Sequence, residues 1–269
     1  MKLYLYGIID SSDQITESIY GLEGSSVYNI PFCDIGAVVS EISPPIQGVT
    51  EGAVLEHGAV VEKLMADFTV LPVRFQTVIE GRDNLLLMMQ SYYKDFKDNL
   101  ARLHNKLEFG IKVIWPAEKI KENIIKTLKK GKQKDSESNS SQGRKFMTEK
   151  FEKYKIDKEF QAKADKFIKV MDTFFSKFAT EKKLRKLKTE HLLLDAVYLV
   201  EKSQESNFRE AFEHIKSARS DFKYLFSGPW PAYNFVVLSK QSALLTDSQQ
   251  TDLLDKVTQD QMLVGADSI

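Results

Sequence analysis

The chain has 269 residues, 42% hydrophobic and 28% charged, with 38 basic side chains balanced by 38 acidic ones. These are globular values, with length enough for two domains. No stretch approaches the ~20 apolar residues of a membrane span, and a single cysteine, Cys33, excludes an intramolecular disulfide.

Lys2 to Ile9 alternates Leu3 and Leu5 with Tyr4 and Tyr6 and reads as a strand buried on both faces. Ser11-Ser12-Asp13 predicts the cap of a short helix through Tyr20, broken by Gly21, Gly24 and Ser25-Ser26. Val27 to Phe32 and Ile35 to Ile42 read as two strands of a hairpin turning at Cys33-Asp34. Cys33 follows Phe32 and is expected to be a buried thiol. Pro44-Pro45 and Gly48 predict a loop. A helix follows from about Thr50 to Phe68, with Val54, His57, Val61, Leu64, Met65 and Phe68 spaced three and four apart. Thr69 to Ile79 completes a β-α-β-β-α-β order, the ferredoxin-like one.

Arg82 to about Leu107 predicts a long helix with Leu85, Met89, Tyr92, Tyr93, Phe96, Leu100, Leu103 and Leu107 on one stripe. Phe109 to Trp115 is a strand stopped by Pro116, and Glu118 to Lys130 a helix with a basic end. Residues 131–143 are mostly polar and read as a flexible loop. Arg144 to Leu187 reads as one helix, burying Phe160, Ala164, Phe167, Ile168, Met171, Phe174, Phe175 and Phe178. Leu192 to Val200 reads as a strand or hairpin. Asn207 to Ser220 is a helix with Ser206 as its cap. Phe222 to Phe226 is a strand, followed by a Gly228-Pro229-Trp230-Pro231 turn and a last strand, Tyr233 to Leu238.

The expected class is α+β: two tandem ferredoxin-like sandwiches, residues 1–80 and 109–240, joined by an amphipathic helix, 81–108. The second carries a basic helical insertion with a flexible part at 131–143, and a polar tail follows at 241–269.

Charge is uneven along the chain. Residues 1–110 hold 8 Lys/Arg against 15 Asp/Glu, residues 111–188 hold 23 against 11, and residues 189–269 hold 7 against 12. The basic middle allows two readings: a helix with a solvated lysine face, or nucleic-acid binding through Lys119–Lys134 and Lys182–Lys188. The absence of an aromatic-basic readout pattern favours the first.

Catalytic patterns are missing. The four histidines, His57, His104, His191 and His214, share no metal-ligand spacing. No phosphate loop and no Gly-x-Ser-x-Gly elbow is present. No cofactor, metal or catalytic residue is therefore expected, and the chain reads as a binding protein rather than an enzyme. His57 and Arg74 remain as a polar pair. They either hold a group on a partner or fix a helix to a strand, with Glu56 or Glu80 as further partners. Trp230 and Tyr233 either anchor an interface or plug the end of a core. The alternative enzyme reading is a small-molecule α/β protein using His57 and Arg74.

Five stations in order carry a resemblance: Tyr4 to Ile8, His57 with Leu71 to Thr77, Gly110 to Trp115, Tyr198-Leu199-Val200, and Gly228 to Val236. Together they resemble the gas vesicle protein F/L family (GvpF/GvpL), from about residue 2 to residue 237. Gln76 stands where the family pattern has Gly, and Ala232 where it has a second Pro. The resemblance implies an accessory or minor structural protein of gas vesicle formation. It implies as partners the small hydrophobic shell protein (GvpA) and other Gvp proteins, with His57, Arg74, Phe75, Trp230 and Tyr233 as candidate partner-binding residues. The N-terminus reads as a strand rather than a signal peptide and no disulfide is possible, so the expected compartment is the cytoplasm; the resemblance adds the vesicle shell, and neither nucleic acid nor membrane is expected as a partner.

Overall fold

Two antiparallel sheets and five helices make up the computed structural model, among the residues it describes: 2–42, 50–130, 142–185 and 189–239. The predicted loops at Pro44-Pro45 and at 131–141, and the tail from residue 240 on, lie outside these. The chain divides into two compact units, Met1–Glu108 with Pro229–Ile269, and Phe109–Gly228.

The first unit is built on β1 (Lys2–Ile9), whose residues after Lys2 are all buried. β2 (Val27–Phe32) and β3 (Ile35–Ile42) form the expected hairpin, and β1 pairs antiparallel with β3. On its other edge β1 pairs with two short strands, β4 (Val70–Pro72) and β5 (Val78–Glu80), so the sheet runs β2-β3-β1-β4 with β5 beside it. Gly7 sits opposite Pro72, and an added Cβ there would lie 2.9 Å from the Leu71 carbonyl oxygen. No larger residue fits that approach without a shift.

α1 (Glu51–Asp67) starts where Thr50 Oγ1 accepts the Ala53 N–H, and it buries His57, Val60, Val61 and Leu64. These pack with Tyr4, Tyr6, Ile9, Val38 and Val70 into one core. α2 (Gly81–Leu103) also packs on β1 and buries Leu85, Met89, Phe96, Leu100 and Leu103.

In the second unit, β6 (Lys106–Ile114), β7 (Ala179–Leu184), β8 (Leu192–Glu201) and β9 (Lys223–Trp230) form a sheet in the order β7-β8-β6-β9. Numbered within each unit, both sheets have strand order 2-3-1-4. α3 (Ala117–Lys130), α4 (Gln142–Phe175) and α5 (Glu205–Ala218) belong to this unit. Its core is aromatic: Phe208 packs on Phe109, Phe175 and Tyr198, with ring centroids 5.3 to 5.7 Å apart.

Several expectations are corrected. No helix forms from Ser11 to Tyr20. Ser11 Oγ caps the Asp13 N–H locally, and Asn29 Nδ2 donates to the Ser11 and Asp13 carbonyls, which ties the segment to β2. The described residues between 2 and 80 therefore run β-β-β-α-β-β, without the first helix of the expected order. Cys33 is exposed rather than buried, because it occupies a two-residue turn with φ of 53°. α2 ends at Leu103, where Asn105 turns with φ of 56°, and Leu107 lies in β6. α4 stops at Phe175, and Ala179–Leu184 is a strand paired with β8 despite its helix-favouring Glu-Lys-Lys. Ser206 lies inside α5, which starts after Gln204. β9 runs on through Gly228 and Pro229 to Trp230, and residues 231–239 form turns and irregular chain rather than a last strand.

Candidate functional site

Alternation along β1 puts Tyr4 and Tyr6 on one face, where α1 lies. Two phenols inside a core each need polar partners. Tyr4 Oη accepts the Gln76 N–H at 2.9 Å and lies 2.9 Å from His57 Nδ1. Tyr6 Oη accepts the Leu22 N–H at 3.0 Å and shares a bond of 3.0 Å with Ser40 Oγ. Burial raises both phenol pKa values.

His57 is 4% exposed. It stacks on Tyr6 at 5.5 Å and meets Tyr4 and Phe75 edge-on at 5.6 and 6.0 Å. Burial lowers its pKa to about 4, so it is neutral at pH 7. Nε2 has no partner of ordinary hydrogen-bond geometry among the described residues, and the Val73 backbone gives only a weaker contact that favours the charged form. The arrangement that uses every group has Tyr4 donating to Nδ1 and the proton on Nε2.

Between β4 and β5 the chain turns out over Arg74–Gln76: the Val73 N–H still bonds the Tyr6 carbonyl, the Thr77 carbonyl accepts the Leu5 N–H, and the Thr77 N–H closes the turn on the Arg74 carbonyl. Arg74 and Phe75 are half-buried there, and Phe75 packs on the core. Gln76 has φ of 66°, the left-handed region that glycine adopts freely. This conformation accounts for the glycine of the motif at this position. Of the two carboxylates expected near Arg74, Glu56 accepts the Glu23 N–H and Glu80 pairs with Lys2 at 3.3 Å.

Tyr233 is half-buried, and its phenol is close enough to raise the pKa of Tyr4. Its own pKa is pushed up by burial and then by Glu108. Glu108, 4% exposed, accepts the Asn234 N–H at 2.8 Å and also the Asn234 side-chain amide. The segment after Pro231 is strapped to α2. Asn99 accepts the Val237 N–H at 2.9 Å and donates to the Val237 carbonyl at 2.6 Å, as a peptide group would. Asp95 accepts the Ser239 N–H at 2.7 Å, and Arg102 donates to the Phe235 carbonyl.

The structure thus gathers His57, Phe75 and Tyr233 around Tyr4, with Arg74 on the adjoining turn. Trp230 stands apart at the end of β9, half its surface in solvent. Sequence reading did not single out Tyr4, Tyr6, Asn99, Glu108 or Asn234 as partners in this site. Only the two phenols carried a signal, as polar tips on a strand without a polar face. No group of three or more His, Cys, Asp or Glu residues able to hold a metal is found among the described residues. No described helix is long and apolar enough to cross a membrane.

Comparison with known proteins gives one family. The model for the gas vesicle synthesis protein GvpL/GvpF family matches residues 2–237. Gas vesicle protein F2 of Halobacterium salinarum is 23% identical over 87% of this chain and 91% of its own length. Gas vesicle protein F of Dolichospermum flosaquae is 26% identical over 82% of the chain and 91% of its own length. The crystal structure of GvpF from Anabaena sp. PCC7120 superposes with a TM-score of 0.77 at 21% identity, covering 88% of this chain and 99% of the other. That of GvpF from Microcystis aeruginosa gives 0.72 at 20% identity, with the same coverage. The chain therefore has the fold of these two structures.

Proposed function

Because the chain belongs to the gas vesicle GvpL/GvpF family and so has a role in gas vesicle formation, we propose that it binds the small hydrophobic shell protein (GvpA) together with other Gvp proteins and nucleates or chaperones shell assembly. The match over residues 2–237 is the observation that carries this reading. A shell subunit with one very apolar face aggregates unless that face is covered before it joins the wall. A soluble adaptor covers it in a groove or by adding a strand at a sheet edge. We read each sheet as a ferredoxin-like one, with residues 1–80 and 109–240 as the two domains and 81–108 as the connecting helix. Their shared strand order supports this.

Of the two edges of the second sheet, β7 is rich in lysine, a device that discourages strand addition. β9 is the open one, with Leu225 and Trp230 about half exposed. Trp230 is thus the proposed anchor, while His57, Arg74, Phe75 and Tyr233 hold the surface of the first unit in shape. A location at the vesicle shell follows from this role.

The test is affinity retention of the shell protein on the tagged chain after co-expression. Retention by wild type that is lost with Trp230→Ala and with Leu225→Pro supports edge binding at β9. Retention that survives both changes rules that edge out.

A further inference from the structure

The N-terminal half of α4 exposes more aromatic surface than its place on a helix of this unit explains. From Phe160 on, the helix buries Phe160, Ala164, Met171 and Phe175. Before Phe160 the inward side carries half-buried Glu152 and Ile156. The opposite side carries Met147, Phe151 and Tyr154, exposed by 67%, 57% and 62%; Phe146, exposed by 55%, lies about a quarter turn away from that side. At about 100° per residue, Met147, Phe151, Tyr154 and Lys158 fall on one narrow stripe.

The charges are sorted around that stripe. Lys158 continues it, and Lys150 and Lys155 flank it on opposite sides. Glu149, Glu152 and Glu159 fall on the far side of the helix together with Lys153, and Asp157 is the acid next to Lys150. Lys155 lies over the Phe151 ring at 4.6 Å, which holds its ammonium group at the rim of the apolar stripe, and Lys150 lies over the Phe146 ring at 4.8 Å, just outside it. An apolar stripe bordered by cations is complementary to a helix with an apolar stripe bordered by carboxylates. It is a poor match to a second copy of itself, whose lysines would face these. A nucleic-acid backbone would use the lysines but leave three large apolar side chains without a role.

We propose that this stripe of α4 is a docking surface for an acidic amphipathic helix of a partner protein, separate from the shell-protein contact at β9. Met147, Phe151 and Tyr154 supply the apolar contact, and Lys150, Lys155 and Lys158 fix orientation against Glu or Asp on the incoming helix. This goes beyond the shell-protein reading, and either can fail alone.

The experiment uses the full chain and two labelled peptides of about 21 residues, each with Leu at the a and d heptad positions. One carries Glu at the flanking positions and the other Lys. Fluorescence anisotropy is expected to show binding of the Glu peptide only, weakening as salt rises. The variant Met147→Ser/Phe151→Ser/Tyr154→Ser is expected to bind the Glu peptide about tenfold more weakly or worse. Its melting temperature should be unchanged, because the three side chains are exposed. Equal binding of the two peptides, or full binding by the variant, overturns the proposal. So does preferential binding of duplex DNA or of phosphatidylserine vesicles over the Glu peptide, or self-association of the chain that the variant abolishes.

Discussion

Tyr4 on the central strand and His57 on the helix above it meet through a 2.9 Å contact between Oη and Nδ1, and both are almost completely buried. The hydroxyl also receives the Gln76 N–H. One phenol thus joins β1, α1 and the turn between β4 and β5, so disturbance of any of the three reaches the others.

The first prediction concerns pH. The His57 pKa is about 4 in the folded chain, against 6.5 for the free side chain. Between these values the unfolded chain holds the additional proton, so stability rises with pH across this window and the contribution is complete above 6.5. Lowering the pH from 7 to below 4 should remove about 3 kcal/mol through this group. Urea titrations at a series of pH values should show that slope in wild type. His57→Phe should be less stable at pH 7 but flatter from 6.5 to 4.

Gly21 lies against the other phenol. A Cβ at this position would sit 1.9 Å from Tyr6 Oη. Gly21→Ala should displace Tyr6, break its bonds to the Leu22 N–H and Ser40, and cost about 1–3 kcal/mol. Chemical denaturation of the variant checks this. An unchanged midpoint would mean that the loop before β2 moves aside at little cost.

Gln76 offers the opposite result. Its φ of 66° strains a side chain by about 1–2 kcal/mol, whereas glycine at a fixed position loses about 0.5–1 kcal/mol of chain entropy. Gln76→Gly should therefore be neutral or more stable by up to about 1 kcal/mol, as read by thermal melts.

The strap on α2 should open when Asn99 is shortened. Asn99→Ala removes the acceptor for the Val237 N–H and the donor to the Val237 carbonyl. A cost of about 2 kcal/mol is expected, with faster hydrogen exchange at Val237 and Ser239 and unchanged exchange in β8.

Much of this was legible in the sequence, and the failures share a cause. The Val27–Phe32 and Ile35–Ile42 hairpin and the helix after Thr50 follow from local signals: alternation, a turn and a side-chain cap. Residues 11–20 and 179–184 look helical locally, but partners distant in sequence decide them, Asn29 in one case and β8 in the other. Gly228-Pro229 looks like a stop, yet on an edge strand the missing proline N–H costs no ladder bond, and β9 continues to Trp230. His57 and Phe75 were singled out by motif, and their burial around Tyr4 required the packing of α1 on β1. The carboxylate of Glu108 meets Asn234 from across the chain, a contact no spacing rule reveals.

The most direct test of the account is whether this chain keeps the gas vesicle shell protein soluble. The shell protein is expressed alone and together with the chain, the lysates are centrifuged at high speed, and the supernatants are separated by size. The account predicts that the shell protein moves from pellet to supernatant and co-elutes with the chain. Shell protein that stays in the pellet while the chain elutes folded and alone would contradict it.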